Sequence, residues 1–188
     1  LLDTWTRSGL PVVPISINLS RRHLEKDDFL EDYIKIYRQY SFPANLIEFE
    51  LTETMAFNNM SILTHVIDTI HSMGFHCSMD DFGSGYSSLG MLKNIHVDTL
   101  KIDRAFFLDN RDQRGQTVIE TVIELGHKLN ISTVAEGIET QEQVDFLSQI
   151  NCDMVQGYVF YRPLPVGEFE KVIFEEQGAG LNDDGSTK

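Results

Sequence analysis

The chain has 188 residues, enough for one domain of ordinary size or a piece of a larger one, and its 41% hydrophobic and 23% charged residues make a globular rather than a disordered composition. Fifteen Lys and Arg against 29 Asp and Glu leave a net charge of −14, which excludes holding a DNA or RNA duplex by counterion release. No apolar run approaches the roughly 20 residues that span a bilayer, and the first residues carry no secretory signal. A cytoplasmic location is therefore expected, though a parent protein could still be membrane-anchored.

Apolar and β-branched runs at 12–18, 47–51, 76–80, 99–103, 131–136 and 154–160 read as strands. Helical patterns separate them. The first covers 29–40. Ile62, Leu63, Val66, Ile67, Ile70 and Met73 then recur at helical spacing, with Gly74 placed as a C-terminal stop. Val118, Ile119, Val122, Ile123 and Leu129 mark the next helix. Thr140 followed by Gln143 fits a capping box ahead of Val144, Leu147 and Ile150. A last helix is predicted at 168–176, and the Gly-, Asp-, Asn- and Ser-rich residues 177–188 read as a disordered tail, leaving one domain over 1–176.

Strands alternating with helices predict an α/β fold with a parallel sheet, either doubly wound or a (β/α) barrel. No Gly-x-Gly-x-x-Gly follows a strand, so a dinucleotide site of that type has no support. No internal repeat is evident. Cys77 and Cys152 match no zinc spacing and read as reduced core thiols. The six histidines show no metal spacing and read as surface or half-buried residues, and no serine sits in a Gly-x-Ser-x-Gly elbow.

The strand ends carry the chemistry. Asn18 ends the first run. Glu50 lies on the second, with Glu53 just beyond. Asp80 and Asp81 end the third, Lys101 and Asp103 the fourth. Glu136 ends the fifth with Glu139 behind it, and Gln156 lies near the start of the sixth. In parallel α/β folds these ends share one face. Crowded carboxylates resist ionising together unless something neutralises them. Their hard oxygens suit magnesium or manganese rather than zinc or copper. One acid at a strand end is more often a helix cap or a solvated loop residue, but six successive polar strand ends are hard to read that way. The Gly- and Ser-rich stretch after Asp81 is, by composition, equally a plain turn or a mobile lid over phosphate.

Read together and in order, Asn18-Leu19-Ser20, Glu50-Leu51-Thr52-Glu53, Asp80-Asp81-Phe82-Gly83-Ser84-Gly85-Tyr86-Ser87-Ser88-Leu89, Leu100-Lys101-Ile102-Asp103, Ala135-Glu136-Gly137-Ile138-Glu139-Thr140 and Gln156-Gly157-Tyr158 resemble the EAL domain, the bacterial phosphodiesterase that linearises cyclic di-GMP. The resemblance implies a modified TIM (β/α)8 barrel with one strand running against the others. It implies hydrolysis of cyclic di-GMP to linear pGpG with two Mg2+ or Mn2+ ions. Asn18, Glu50, Asp80 and Asp81 match the metal ligands, Glu136 a further acid at the metals, and Gln156 a residue that holds water there. Lys101 matches the lysine beside the attacking water, which Lys101 and Glu136 would orient or deprotonate. Glu53 matches the glutamate that anchors the following loop, here 82–89, itself tied to dimerisation and metal-site order. Phe82, Gly83, Ser84, Gly85, Asp103 and Glu139 complete the substrate-binding or loop positions.

A homodimer, and a sensory or GGDEF domain in the parent protein, are the partners the resemblance implies. A non-catalytic cyclic di-GMP receptor or scaffold of the same fold is the alternative function. The family's Glu-Ala-Leu triplet does not occur in this sequence. Leu1 to Trp5 resembles the helix leading to the strand that ends at Asn18. The expectation is thus an incomplete barrel of about six βα units, without the first two strands and with two open edges. Ser84 stands for the commoner Thr, which keeps the hydroxyl, and Asn151 stands where Gly is usual.

Overall fold

A computed structural model describes residues 1–20, 29–58, 60–84, 89–108 and 112–179. The elements run α1 (Leu2–Arg7), β1 (Ile15–Asn18), α2 (Phe29–Tyr37), β2 (Ile47–Thr52), α3 (Glu53–Asn58), α4 (Met60–Ser72), β3 (His76–Phe82), α5 (Leu89–Leu92), β4 (Thr99–Ile102), α6 (Arg104–Leu108), α7 (Gln113–Lys128), β5 (Ser132–Ala135), α8 (Gln141–Gln149), β6 (Met154–Val155) and α9 (Val166–Ala179). The strands form one sheet in the order β1-β2-β3-β4-β5-β6, and every adjacent pair is parallel. A doubly wound sheet reverses its order at a switch point. This one does not, so the barrel alternative holds, as a curled part-barrel of six strands rather than eight. The opposed strand that the resemblance implies is not among the six.

Register gives the sheet two unlike faces. Ile17, Phe49 and Cys77 line up across one face, as do Leu51, Met79, Leu100 and Thr133. Phe49, Leu51, Cys77, Met79 and Leu100 share a buried core with Val66, Ile67 and Ile70 of α4, Ile119 and Ile123 of α7, and Leu147 of α8. Along each strand the alternate residues point the other way. There Asn18, Glu50, Ser78 and Thr99 align, beside Thr52 and Asp80. The helices thus sit on the apolar face, and the polar face is left to build a site.

Local signals explain most elements. Thr140 and Gln143 form the expected capping box at the start of α8. Gly74, at φ +79, follows α4 in the left-handed region that glycine adopts without strain. Three expectations are corrected. The sixth strand is only Met154–Val155, because the chain then turns at Gly157. A Cβ there would overlap the Ile138 carbonyl oxygen. The Gln156 carbonyl instead accepts from Ile138 N at 3.1 Å. The last helix runs to Ala179, so the first three residues of the expected tail are helical, and 180–188 lie outside the described residues. Phe82, expected in the loop, belongs to β3 and is buried. Since backbone at Ile138 cannot yield, Gly157→Ala is expected to cost about 3 kcal/mol, read as a lowered urea midpoint at unchanged slope.

The ends of the chain meet. Trp5 of α1 is buried, its ring centroid 5.9 Å from that of Phe169 and 5.8 Å from that of Phe174, both on α9. Its Nε1 donates to Glu170 Oε1 at 2.8 Å. The helix beside the first strand thus holds the last helix, although β1 and β6 are opposite ends of the sheet. Trp5→Ala is expected to cost about 3–5 kcal/mol, with early proteolysis within α9 as its sign.

Candidate active site

All six strands are parallel, so their C-terminal ends lie at one end of the sheet. Lys101 sits at the centre of that end. β4 is buried throughout, and the Lys101 side chain projects from it onto the polar face. Its Nζ lies 2.5 Å from Glu50 Oε1, 2.7 Å from Glu136 Oε1 and 3.6 Å from Asp80 Oδ1. Glu50 comes from β2, Asp80 from β3, and Glu136 directly follows β5. A lysine 7% exposed would lose its charge without partners. Here burial opposes the charge, but the bonds to Glu136 and Glu50 outweigh it and hold the ammonium well above its ordinary range. Glu136 is pulled both ways. Burial raises its carboxyl, Lys101 lowers it, and the net direction is upward.

Asp81 turns outward with φ +58, a left-handed conformation uncommon outside glycine. Its carboxyl is also held above the ordinary range, by partial desolvation and by the charges of Asp80 and Asp103. The strain is shared with a tight turn. Ser84 N and Oγ both donate to the Asp81 carbonyl, at 3.1 and 2.8 Å. Gly83, at φ +95, donates its N–H to Glu53 Oε2 at 3.2 Å. A Cβ on Gly83 would come within 2.6 Å of the Phe106 ring, so α6 packs where only glycine fits. Glu53, 2% exposed at the start of α3, thereby fixes the start of the loop after the aspartate pair. Gly85 lies outside the described residues.

The other expected residues divide. Asn18 is the register partner of Glu50 and is exposed at the end of β1. Gln156 is exposed beyond β6, its N–H tied to the Ala135 carbonyl at 2.8 Å. Asp103 instead organises backbone. Its N–H donates to the Phe82 carbonyl, and its Oδ1 accepts from Ala105 N at 2.8 Å as α6 begins. Glu139 pairs with Arg104 Nη1 at 2.6 Å, both about half exposed. The sequence reading missed Arg104, whose stem lies where a Cβ on Gly137 would go. It also missed Glu48, which accepts from Ser16 Oγ at 3.2 Å and Thr99 Oγ1 at 3.1 Å one layer below the site. Glu48 is two residues before Glu50 on the same face, and that period was the available signal.

The donor chemistry fits a divalent cation. Three carboxylates surround one ammonium, so two negative charges stay uncompensated when all are ionised. The oxygens of Asn18, Glu50, Asp80, Asp81 and Glu136 are hard donors of the kind Mg2+ and Mn2+ take. Among the described residues no three Asp, Glu, His or Cys are spaced to hold an ion as they stand. The Lys101 ammonium is the cation between the acids.

The family described as EAL domain matches residues 1–163. The cyclic di-GMP phosphodiesterase NbdA of Pseudomonas aeruginosa is 33% identical over 160 residues, which are 85% of this chain and 20% of NbdA. The chain thus spans about a fifth of the length of such relatives. The crystal structure of the EAL domain of Mycobacterium smegmatis DcpA is similar with a TM-score of 0.83 at 29% identity, over 93% of this chain and 79% of that one. Klebsiella pneumoniae BlrP1, in a manganese/cy-diGMP complex, is similar with a TM-score of 0.77 at 26% identity, over 86% of this chain and 42% of that one.

Proposed function

Because the chain belongs to the EAL domain family, we propose that it carries the active site of a metal-dependent phosphodiesterase that hydrolyses cyclic di-GMP to linear pGpG in bacterial second-messenger signalling. The observation that supports this most is the convergence of Glu50, Asp80 and Glu136 on one buried lysine at the C-terminal end of the sheet. Asn18, Glu50, Asp80, Asp81 and Glu136 would hold two Mg2+ or Mn2+ ions, with Gln156 beside them. Bound there, the ions would supply Lewis-acid charge to the phosphodiester and lower the pKa of a water.

The chain's own groups take distinct parts. Lys101, held between the Glu50 and Glu136 carboxylates, is placed to orient the water and steady developing negative charge. Glu136, whose Oε1 lies 2.7 Å from the Lys101 ammonium, is placed to orient the water or take its proton. Glu53, through the Gly83 amide, keeps Asp81 at the mouth of the site. The partners that go with this reading are a second copy of the chain and a sensory or GGDEF domain in the parent protein, in the cytoplasm. Glu136→Gln in the full-length protein is expected to lower kcat ~10²-fold or more, with cyclic di-GMP binding retained in equilibrium dialysis. Binding by wild type without turnover would make the protein a receptor of the same fold instead.

A further inference from the structure

The molecule uses one device twice. In the first copy His71, near the end of α4, lies with Nε2 2.9 Å from Asp98 Oδ2. The same oxygen accepts the Cys77 N–H of β3 at 2.8 Å, and Asp98 N donates back to the Cys77 carbonyl at 2.8 Å. In the second copy His127, at the end of α7, lies with Nε2 2.9 Å from Asp153 Oδ2. That oxygen accepts the Thr133 N–H of β5 at 2.7 Å and its hydroxyl at 2.8 Å.

The copies match residue by residue. Each strand amide lies six positions after its histidine. Between them Gly74 and Asn130 take the same left-handed turn, at φ +79 and +58. Phe75 N reaches back to the Ile70 carbonyl, as Ile131 N does to that of Gly126. Each aspartate immediately precedes the next strand, β4 or β6. Three residues beyond the two strand amides come Asp80 and Glu136, and three beyond the two aspartates come Lys101 and Gln156. Asp81 and Gly137 then share a left-handed conformation, at φ +58 and +65. A repeat that the bare sequence does not disclose thus lies in the structure. It makes Gln156 the counterpart of Lys101, and Glu136 that of Asp80.

We infer that Asp98 and Asp153 are positioning residues, each clamping a helix end and two neighbouring strands so that the site residues three positions onward face each other. The inference rests on the proposed phosphodiesterase for its catalytic consequence, but not for the clamp itself. Partial burial opposes the charge of Asp153, and the Thr133 groups with His127 overcome it, holding that carboxyl below the ordinary range. Although the side chain is exposed, its Oδ2 meets the Thr133 N–H, the Thr133 hydroxyl and His127 Nε2, which makes it a committed acceptor.

The test uses the full-length protein and cyclic di-GMP. Asp153→Ala is expected to lower kcat about tenfold with KM within about twofold, because contact geometry rather than binding is lost. Asp153→Asn, which keeps an acceptor oxygen, should recover most of it. Asp153→Ala combined with Gln156→Ala should be no slower than Gln156→Ala alone, since the clamp serves to set Gln156 against Glu136 and that pair is already lost. Independently of turnover, the Thr133 amide should exchange about a hundredfold faster in Asp153→Ala with Cys77 unchanged, and Asp98→Ala should show the reverse. If Asp153→Ala does not fold, His127→Ala, which removes the ring contact, and Thr133→Val, which removes the hydroxyl's bonds to Asp153 Oδ2 and from Asp153 N, take its place in the kcat comparison and in the double variant, and Asp98→Ala alone carries the exchange arm. Additive losses in the double variant, no recovery with Asn, or equal exchange at both amides would overturn the inference. A wild type without turnover rejects the phosphodiesterase reading, and the exchange pattern then decides the clamp.

Discussion

Lys101→Ala in the full-length protein is expected to reduce kcat ~10³-fold while leaving KM close to its wild-type value. The ammonium sits between Glu50 and Glu136 rather than out toward solvent, so its charge acts where the reaction would occur. Its loss removes an interaction made mainly in the transition state. A second effect follows from the same geometry. Glu50, 5% exposed, and half-buried Glu136 would face each other and Asp80 with no cation between them. Breaking a buried pair by removing one partner costs about 3–5 kcal/mol, so the variant should melt early in chelator. Added Mn2+ should then raise its melting temperature more than that of wild type, because the carboxylates regain a cation. An unchanged kcat would remove Lys101 from the mechanism. Stability unaltered by both the substitution and Mn2+ would show that the acids do not act together.

The second large effect concerns the 188-residue chain tested alone. It is expected to hydrolyse cyclic di-GMP at least ~10²-fold more slowly than the full-length protein. Among the described residues β1 and β6 each pair with a strand on one side only, and such edges seek partners. The family's Glu-Ala-Leu triplet, whose glutamate the resemblance implies to be a further metal ligand, does not occur in the sequence. The isolated chain should therefore associate in light scattering, with the full-length protein as the comparison. Full activity from a monomeric 188-residue chain would contradict both expectations.

The acids were legible because they sit at strand ends, where the apolar pattern breaks. Glu50, Asp80, Lys101 and Glu136 were expected on one face, and they meet there. The alternation of strand and helix likewise predicted an α/β fold with a parallel sheet, and Thr140 with Gln143 predicted a helix start. The misses have physical causes. β6 was read too long because 154–160 is apolar, but the close approach of Gly157 to Ile138 is a tertiary fact that composition does not carry. The short helices α3 and α6 have too few residues to show a period. Asp103, expected at a substrate-binding or loop position, has one carboxylate oxygen on the Ala105 amide, a contact its position at a strand end did not disclose. The paired clamps escaped because their copies share spacing and backbone conformation, and few residue types.

The most direct test of the central claim is the conversion of cyclic di-GMP by the full-length protein in Mn2+, measured beside its Asp80→Asn variant. The account predicts linear pGpG from the wild type, none after chelation, and at most about a hundredth of the wild-type rate from the variant. Turnover that survives both chelation and loss of Asp80 would contradict it.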